Sequence, residues 1–212
     1  MPFRRVSLPR SIFRVCWGPD PLAFAPLSLL VAGKPGRWDD PAYRFRTVYY
    51  ANSFLSAFIE VLSPLRPDPQ TVATLRSLGV PLPNMEQAIA EYLEHRSAAL
   101  VFTQQDQIVD IVHAPSRTEF EVLTHRRKRL KAGDFLARDL RVPRRAAGIL
   151  YDCDEVGIRA PTAEGLRVGE TFALFEEVAG AGKARAALKA GKMVPAADLA
   201  SELAEARNFL EI

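Results

Sequence analysis

Cysteine is almost missing from this sequence. Cys16 and Cys153 are the only two in 212 residues. They form neither a thiolate metal motif nor a disulfide framework, which excludes a disulfide-stapled secreted scaffold and makes a reducing cytoplasm the expected setting. Histidine is scarce too. His95, His113 and His125 stand apart with no HExxH or similar spacing, so each reads as a surface or helix-end residue and no metal is expected. Long apolar runs are lacking. The most apolar early stretch, PLAFAPLSLLVAG, is short and broken by proline, which excludes it as a membrane span. The opening MPFRRVSLPRSIF carries positive charge without an apolar core behind it, so no secretory leader is expected. There is no GxGxxG, no phosphate loop ending in GK[ST] and no GxSxG elbow. GAGKARA (180–186) lacks the first glycine of a phosphate loop and the hydroxyl after the lysine, and reads as a linker.

What is present is an ordinary globular composition. An apolar fraction of 48% over this length supports one sizeable core. The expected organisation is a domain over residues 1–178 followed by a C-terminal helical extension over 179–212. The formal net charge is only +3, a mild basicity that suits a phosphate-bearing ligand or an acidic partner. The one dense basic run, HRRKRLK (125–131), has no interleaved aromatics. It reads as a solvated face or a surface for an acidic partner, and direct binding to nucleic acid is not expected.

Along the chain, SIFRVCW (11–17) and FRTVYYA (45–51) mix β-branched and aromatic residues and predict strands. Residues 18–42, rich in proline, predict a long irregular segment. Asn52 or Ser53 is the expected N-cap of a helix carrying Leu55, Phe58, Ile59 and Leu62 at helical spacing and closed by Pro64. Residues 66–84 predict a connector with one helical turn, and a helix is expected from Met85 to about His95. QIVDIVH and FEVLTHRRKRL fit either strands or short helices. A helix is expected around 143–151, a short strand around 156–160 and a strong strand over 170–177. The tail predicts a helix with Pro195 in its first turn and an apolar stripe of Leu199, Leu203, Ala206 and Leu210. The sum is an α+β fold. A regular βαβ series is missing, which argues against a doubly wound nucleotide fold.

Three stretches together resemble the RES-domain family, named for an arginine, a glutamate and a serine. IFRVCWGPDP resembles its opening strand and matches the arginine at Arg14. GRWDDPAYRFRTVYYANSFLSAFIEVLSPLRPD resembles its glycine–arginine turn, its tyrosine-bearing strand and its glutamate-bearing helix. The matches there are Gly36, Arg37, Trp38, Tyr49 and Glu60. GIRAPTAEGLRVGETFALFEE resembles a segment where a proline–serine pair leads into a strand. Pro161 matches the proline and Thr162 stands where the serine is expected, Cys153 being the alternative alignment. The resemblance brackets residues 12–177, with 72–142 and the tail outside any motif.

That resemblance implies an ADP-ribosyltransferase-like mixed or antiparallel β core with flanking helices. It also implies an enzyme that degrades NAD, as glycohydrolase or phosphorylase, in the role of toxin of a bacterial toxin–antitoxin pair. NAD is then substrate and no cofactor is required. Inorganic phosphate or water is the acceptor, and the implied partner is an antitoxin, a small DNA-binding protein of Xre type, covering the NAD pocket. In that chemistry Glu60 stabilises positive charge developing on the ribose, Arg14 and Arg37 supply forked donors for the pyrophosphate, Tyr49 meets the nicotinamide ring, and Thr162 bonds its carboxamide. Catalytic roles thus fall to Glu60, Arg37 and Thr162, and substrate binding to Arg14, Tyr49 and Arg37. Each has a plainer reading on its own: a solvent-side helix acid, an exposed strand arginine, a stacked surface arginine and a turn threonine. Tyr49 and Tyr50 point to opposite faces of their strand, so one is core and the other wet. Two further functions fit the same resemblance, an NAD-binding module with weakened catalysis and an ADP-ribosyltransferase acting on a macromolecule.

Overall fold

The computed structural model of the chain describes residues 3–24, 28, 36–40, 42–123, 129–131, 134–135, 140–162, 164–177 and 186–212, without the side chains of 166 and 167. The basic run at 125–128, most of the GAGKARA stretch and the middle of the proline-rich segment lie outside the described residues.

The fold is α+β, as the sequence implies. Among the described residues eight strands form one sheet: β1 (Arg5–Ser7), β2 (Ser11–Trp17), β3 (Phe45–Ala51), β4 (Arg96–Thr103), β5 (Gln107–Asp110), β6 (Gly157–Thr162), β7 (Gly165–Glu177) and β8 (Leu188–Pro195). Their spatial order is β1-β5-β6-β7-β3-β2-β4-β8. The β5–β6 pair is parallel and the other pairs are antiparallel. The described helices are α1 (Phe54–Leu62), α2 (Pro69–Ser77), α3 (Met85–Leu93), α4 (Ala114–Leu123), α5 (Arg141–Asp152) and α6 (Ala200–Leu210).

β3 lies inside the sheet and is covered on both faces, so its residues alternate between two cores. Phe45 packs with Phe120 of α4, Ala147 and Leu150 of α5, and Phe175 of β7, with Tyr49 against the same cluster. Val48 and Tyr50 point the other way, into a cluster with Ile12, Val101, Phe172 and Leu174. A third cluster joins α1, α3 and α6 through Phe58, Ile59, Leu62, Ile89, Leu93, Ala206 and Leu210, and seats them on Val15, Ala51 and Ala98 of the sheet.

Two segments depart from the sequence reading. The connector after Pro64 holds a full helix, α2. Asp68 caps it by accepting from the Thr71 amide at 3.0 Å, and Pro69 sits where an amide donor is not needed. Residues 188–195, expected within a helical tail, form edge strand β8 instead. Gly191 lets its backbone approach β4 closely, since an added Cβ would lie 2.9 Å from the Leu100 carbonyl. Pro195 ends this strand and caps a single 3-10 turn, Ala196–Asp198, and α6 begins at Ala200. Residues 96–103 form β4, held between β2 and β8. The ambiguous pair resolves into strand β5 for QIVD and helix α4 ending at Leu123.

Candidate active site

β2 and β3 are neighbours that hardly pair. β2 matches β4 over seven positions, Ser11 to Trp17, and β3 matches β7 over seven, Phe45 to Ala51. Between themselves they share one register pair, Phe13 with Ala51. Next to that pair lies a cleft of about 520 Å³ whose walls include Phe13, Arg14 and Val15 on one side and Tyr49, Tyr50 and Ala51 on the other. The size suits a small-molecule ligand.

Helix α1 lies along this seam. Ser53 is its N-cap and accepts from the Ser56 amide at 3.1 Å. The Ser56 hydroxyl lies within hydrogen-bond distance of two acceptors for its one proton, Asn52 Oδ1 at 3.0 Å and the Val168 carbonyl of β7 at 3.2 Å. Phe58, Ile59 and Leu62 are buried. The opposite stripe, Ala57, Glu60, Val61 and Pro64, faces the cleft at i, i+3, i+4 and i+7 spacing. Glu60 is half-buried there, and its negative charge is felt at the Tyr49 hydroxyl.

Arg37 is presented by a tightly built turn. The Gly36 amide donates to Asp39 Oδ2, the Trp38 amide donates to the Tyr49 hydroxyl at 2.9 Å, and the Thr47 hydroxyl donates to the Trp38 carbonyl at 3.0 Å. Arg144 Nε donates to the Gly36 carbonyl at 3.3 Å and Arg37 Nη1 to the Phe135 carbonyl at 2.9 Å. Gly36 is required by close approach, because a Cβ there would fall well inside van der Waals contact with the Tyr49 hydroxyl. Tyr49 therefore has two jobs: its hydroxyl braces the Arg37 turn, and it forms part of the cleft wall. Burial of that hydroxyl and then the charge of Asp39 push it well above the usual tyrosine range, against the Trp38 amide and Arg37, so it stays protonated.

Arg14 reaches the same cleft from β2. Its Nη1 donates to the Pro21 and Ala23 carbonyls, both at 2.7 Å, and its guanidinium lies 5.7 Å from the Tyr50 ring centroid. Tyr50 is buried and donates to the Pro21 carbonyl at 3.2 Å, so both tyrosines border the cleft, Tyr50 from the Arg14 side and Tyr49 from the Arg37 turn.

Thr162 is placed elsewhere. It is fully buried at the end of β6, its hydroxyl donates to the Gly165 carbonyl at 2.9 Å, and it is not among the residues lining the cleft. The threonine that does line it is Thr171 on β7, which pairs with both Ala51 and Ala160. Tyr92 and Arg96 also line the cleft and were missed in the sequence. Both sit outside any motif; the β2–β4 register brings Arg96 to the seam, and Tyr92 comes to it from α3. Asp39 carried a readable signal, a doubled acid two residues after Arg37, as a capping group for the turn.

Among the described residues no group of three or more His, Cys, Asp or Glu side chains could hold a metal ion, and no helix is long and apolar enough to cross a membrane. No family model and no curated protein matches the chain. Among solved structures it is similar to a chain in the crystal structure of the M. tuberculosis MbcT–MbcA toxin–antitoxin complex. The TM-score is 0.63 at 15% sequence identity, over 94% of this chain and 92% of that one. At that identity the likeness establishes the shared fold.

Proposed function

We propose that this chain is an NAD-consuming enzyme and the toxin of a toxin–antitoxin pair. The observation that carries the reading is the seam cleft, where Arg14 of β2, Arg37 of the Gly36 turn, Tyr49 of β3 and Glu60 of α1 meet. The fold shared with a protein of a toxin–antitoxin complex supports the same reading.

In the proposed reaction the bond between ribose C1′ and the nicotinamide nitrogen breaks. Its electron pair goes to the nitrogen, neutralising the pyridinium. Positive charge gathers at C1′ and its ring oxygen, and the new bond to C1′ is then formed by a phosphate oxygen or by a water, which releases one proton to solvent. Glu60, half-buried on the cleft face of α1, provides the fixed negative charge that favours this state over the ground state. Arg37 supplies forked donors to the pyrophosphate from a turn whose backbone is bonded on several sides, so little reorganisation accompanies binding. Tyr49 offers the nicotinamide a flat wall. No Ser–His–Asp set is needed, because the nucleophile comes from solvent or from phosphate. A partner protein covering this cleft would silence the activity, which is the part an antitoxin plays.

The test compares wild type with Glu60→Gln. Wild type freed of any partner consumes NAD and arrests cells that express it, and the variant folds with an unchanged melting temperature but loses at least about 100-fold in turnover. Wild type that leaves NAD intact, with and without phosphate, would sink the proposal.

A further inference from the structure

The surroundings of the Thr171 hydroxyl are one-sided. Thr171 is buried on β7, 6% exposed, and lines the cleft. The β6–β7 register shifts between Pro161 and Thr162. Next to that shift the hydroxyl lies 3.2 Å from the Pro161 carbonyl and 3.5 Å from the Ala160 carbonyl. Both are acceptors and the hydroxyl has one proton, so that proton is committed to the backbone. Among the described residues no donor bonds to its oxygen. Thr171 therefore offers the cleft a neutral acceptor, which suits an N–H or O–H and opposes a carboxylate.

Position narrows the donor. Phe13 is in register with Ala51, and Ala51 with Thr171, while Tyr49 is in register with Ala173, two residues from Thr171 on β7. Tyr49 and Thr171 thus share one face of the sheet as diagonal neighbours, about 7–8 Å apart and within reach of an aromatic ring. The Tyr49 hydroxyl is already bonded to the Trp38 amide. Arg14 belongs to the opposite face of β2 from Phe13. A nicotinamide lying against Tyr49 carries one donor group on its ring, the carboxamide N–H2, and the Thr171 oxygen is the acceptor beside it. The corresponding acid would set a carboxylate against lone pairs, in a cleft that Glu60 also lines.

We propose that Thr171 accepts a hydrogen bond from the carboxamide of the nicotinamide ring, and so selects the amide over the corresponding acid. This rests on the NAD-consuming reading above and deepens it.

Steady-state kinetics on NAD and on nicotinic acid adenine dinucleotide test it, with Thr171→Val and Thr171→Ser. Wild type is expected to favour the amide by at least about 10-fold in kcat/KM. Thr171→Val should lose roughly 10- to 100-fold on NAD and bring the amide-to-acid ratio close to one, whereas Thr171→Ser keeps the hydroxyl and the ratio. A purely structural hydroxyl would lower both substrates together and leave the ratio where it was. Thr171→Ala takes the place of the valine variant if that one does not fold. Wild type without an amide preference, or a ratio unchanged in a folded variant lacking the hydroxyl, overturns the inference and leaves the NAD reading standing. If wild type consumes neither dinucleotide, that reading fails, and calorimetry with nicotinamide and with nicotinate judges Thr171 alone. Nicotinamide bound in preference to nicotinate by wild type, with the preference lost in Thr171→Val, supports it; no binding, or a preference that survives, overturns it.

Discussion

Gly36→Ala adds one methyl group in the most crowded corner of the site. The new Cβ would lie 2.9 Å from Asp39 Oδ2 and 3.0 Å from Tyr49 Cζ, with the Tyr49 hydroxyl closer still. None of these neighbours moves freely. The hydroxyl is bonded to the Trp38 amide and Asp39 to the Gly36 amide itself, so the turn has to shift. Overpacking of this kind costs about 1–3 kcal/mol, and displacing Arg37 by about 1 Å would cost about 100-fold in turnover. Tyr49→Phe removes the closest clashing atom but strands the Trp38 amide, for about 1–3 kcal/mol. The two substitutions share one contact, so in a double-mutant cycle by denaturant unfolding their costs should fall short of additivity by roughly 0.5–3 kcal/mol. The activity loss of Gly36→Ala should likewise shrink in the Tyr49→Phe background. Strict additivity in stability, or full NAD consumption by Gly36→Ala alone, would refute the view that this turn is built around the tyrosine hydroxyl.

Burial raises Asp39 above the usual aspartate value of 3.8. A raised acid binds more protons folded than unfolded, so stability should fall as pH rises from about 3.8 to the elevated value and level off above it. Asp39→Asn keeps an acceptor for the Gly36 amide and should flatten that part of a melting-temperature profile; parallel profiles count against it. Thr162→Ser should leave NAD turnover unchanged, because the side chain is buried away from the cleft. Thr162→Val should lose about 0.5–1.5 kcal/mol with the bond to Gly165, and a large turnover change in either, without unfolding, would return Thr162 to the site. Leu210→Ala, in the core shared by α6 and α1, should cost about 2–5 kcal/mol and lower the melting temperature by at least about 4 °C.

Much of the site was legible because its residues sit in one stretch of sequence, from Gly36 to Glu60, where strand alternation and helix spacing decide which way each side chain points. Period two separates Tyr49 from Tyr50, and the apolar positions Phe58, Ile59 and Leu62 leave Glu60 on the opposite stripe. Arg96, Tyr92 and Thr171 were hidden because their place depends on sheet order, which no local pattern encodes. Thr162 was misplaced for the same reason: position in a motif does not reveal that β6 turns its last hydroxyl inward to close a turn at Gly165. The tail misled differently. Alanine and lysine around Gly191 carry good helix propensity, but pairing with the edge of β4 overrides it.

The lone register pair between β2 and β3 has a mechanical side. It divides the sheet into two plates, β1-β5-β6-β7-β3 and β2-β4-β8, each complete in its own ladder. Rotating one plate against the other about Phe13 and Ala51 would change the width of the slot without breaking ladder bonds within either plate. Helix α1 spans that joint, with core contacts to Val15 on one plate and Ala51 on the other. Because α1 is seated on both plates, its packing sets how far Arg14 on one plate stands from Tyr49 on the other.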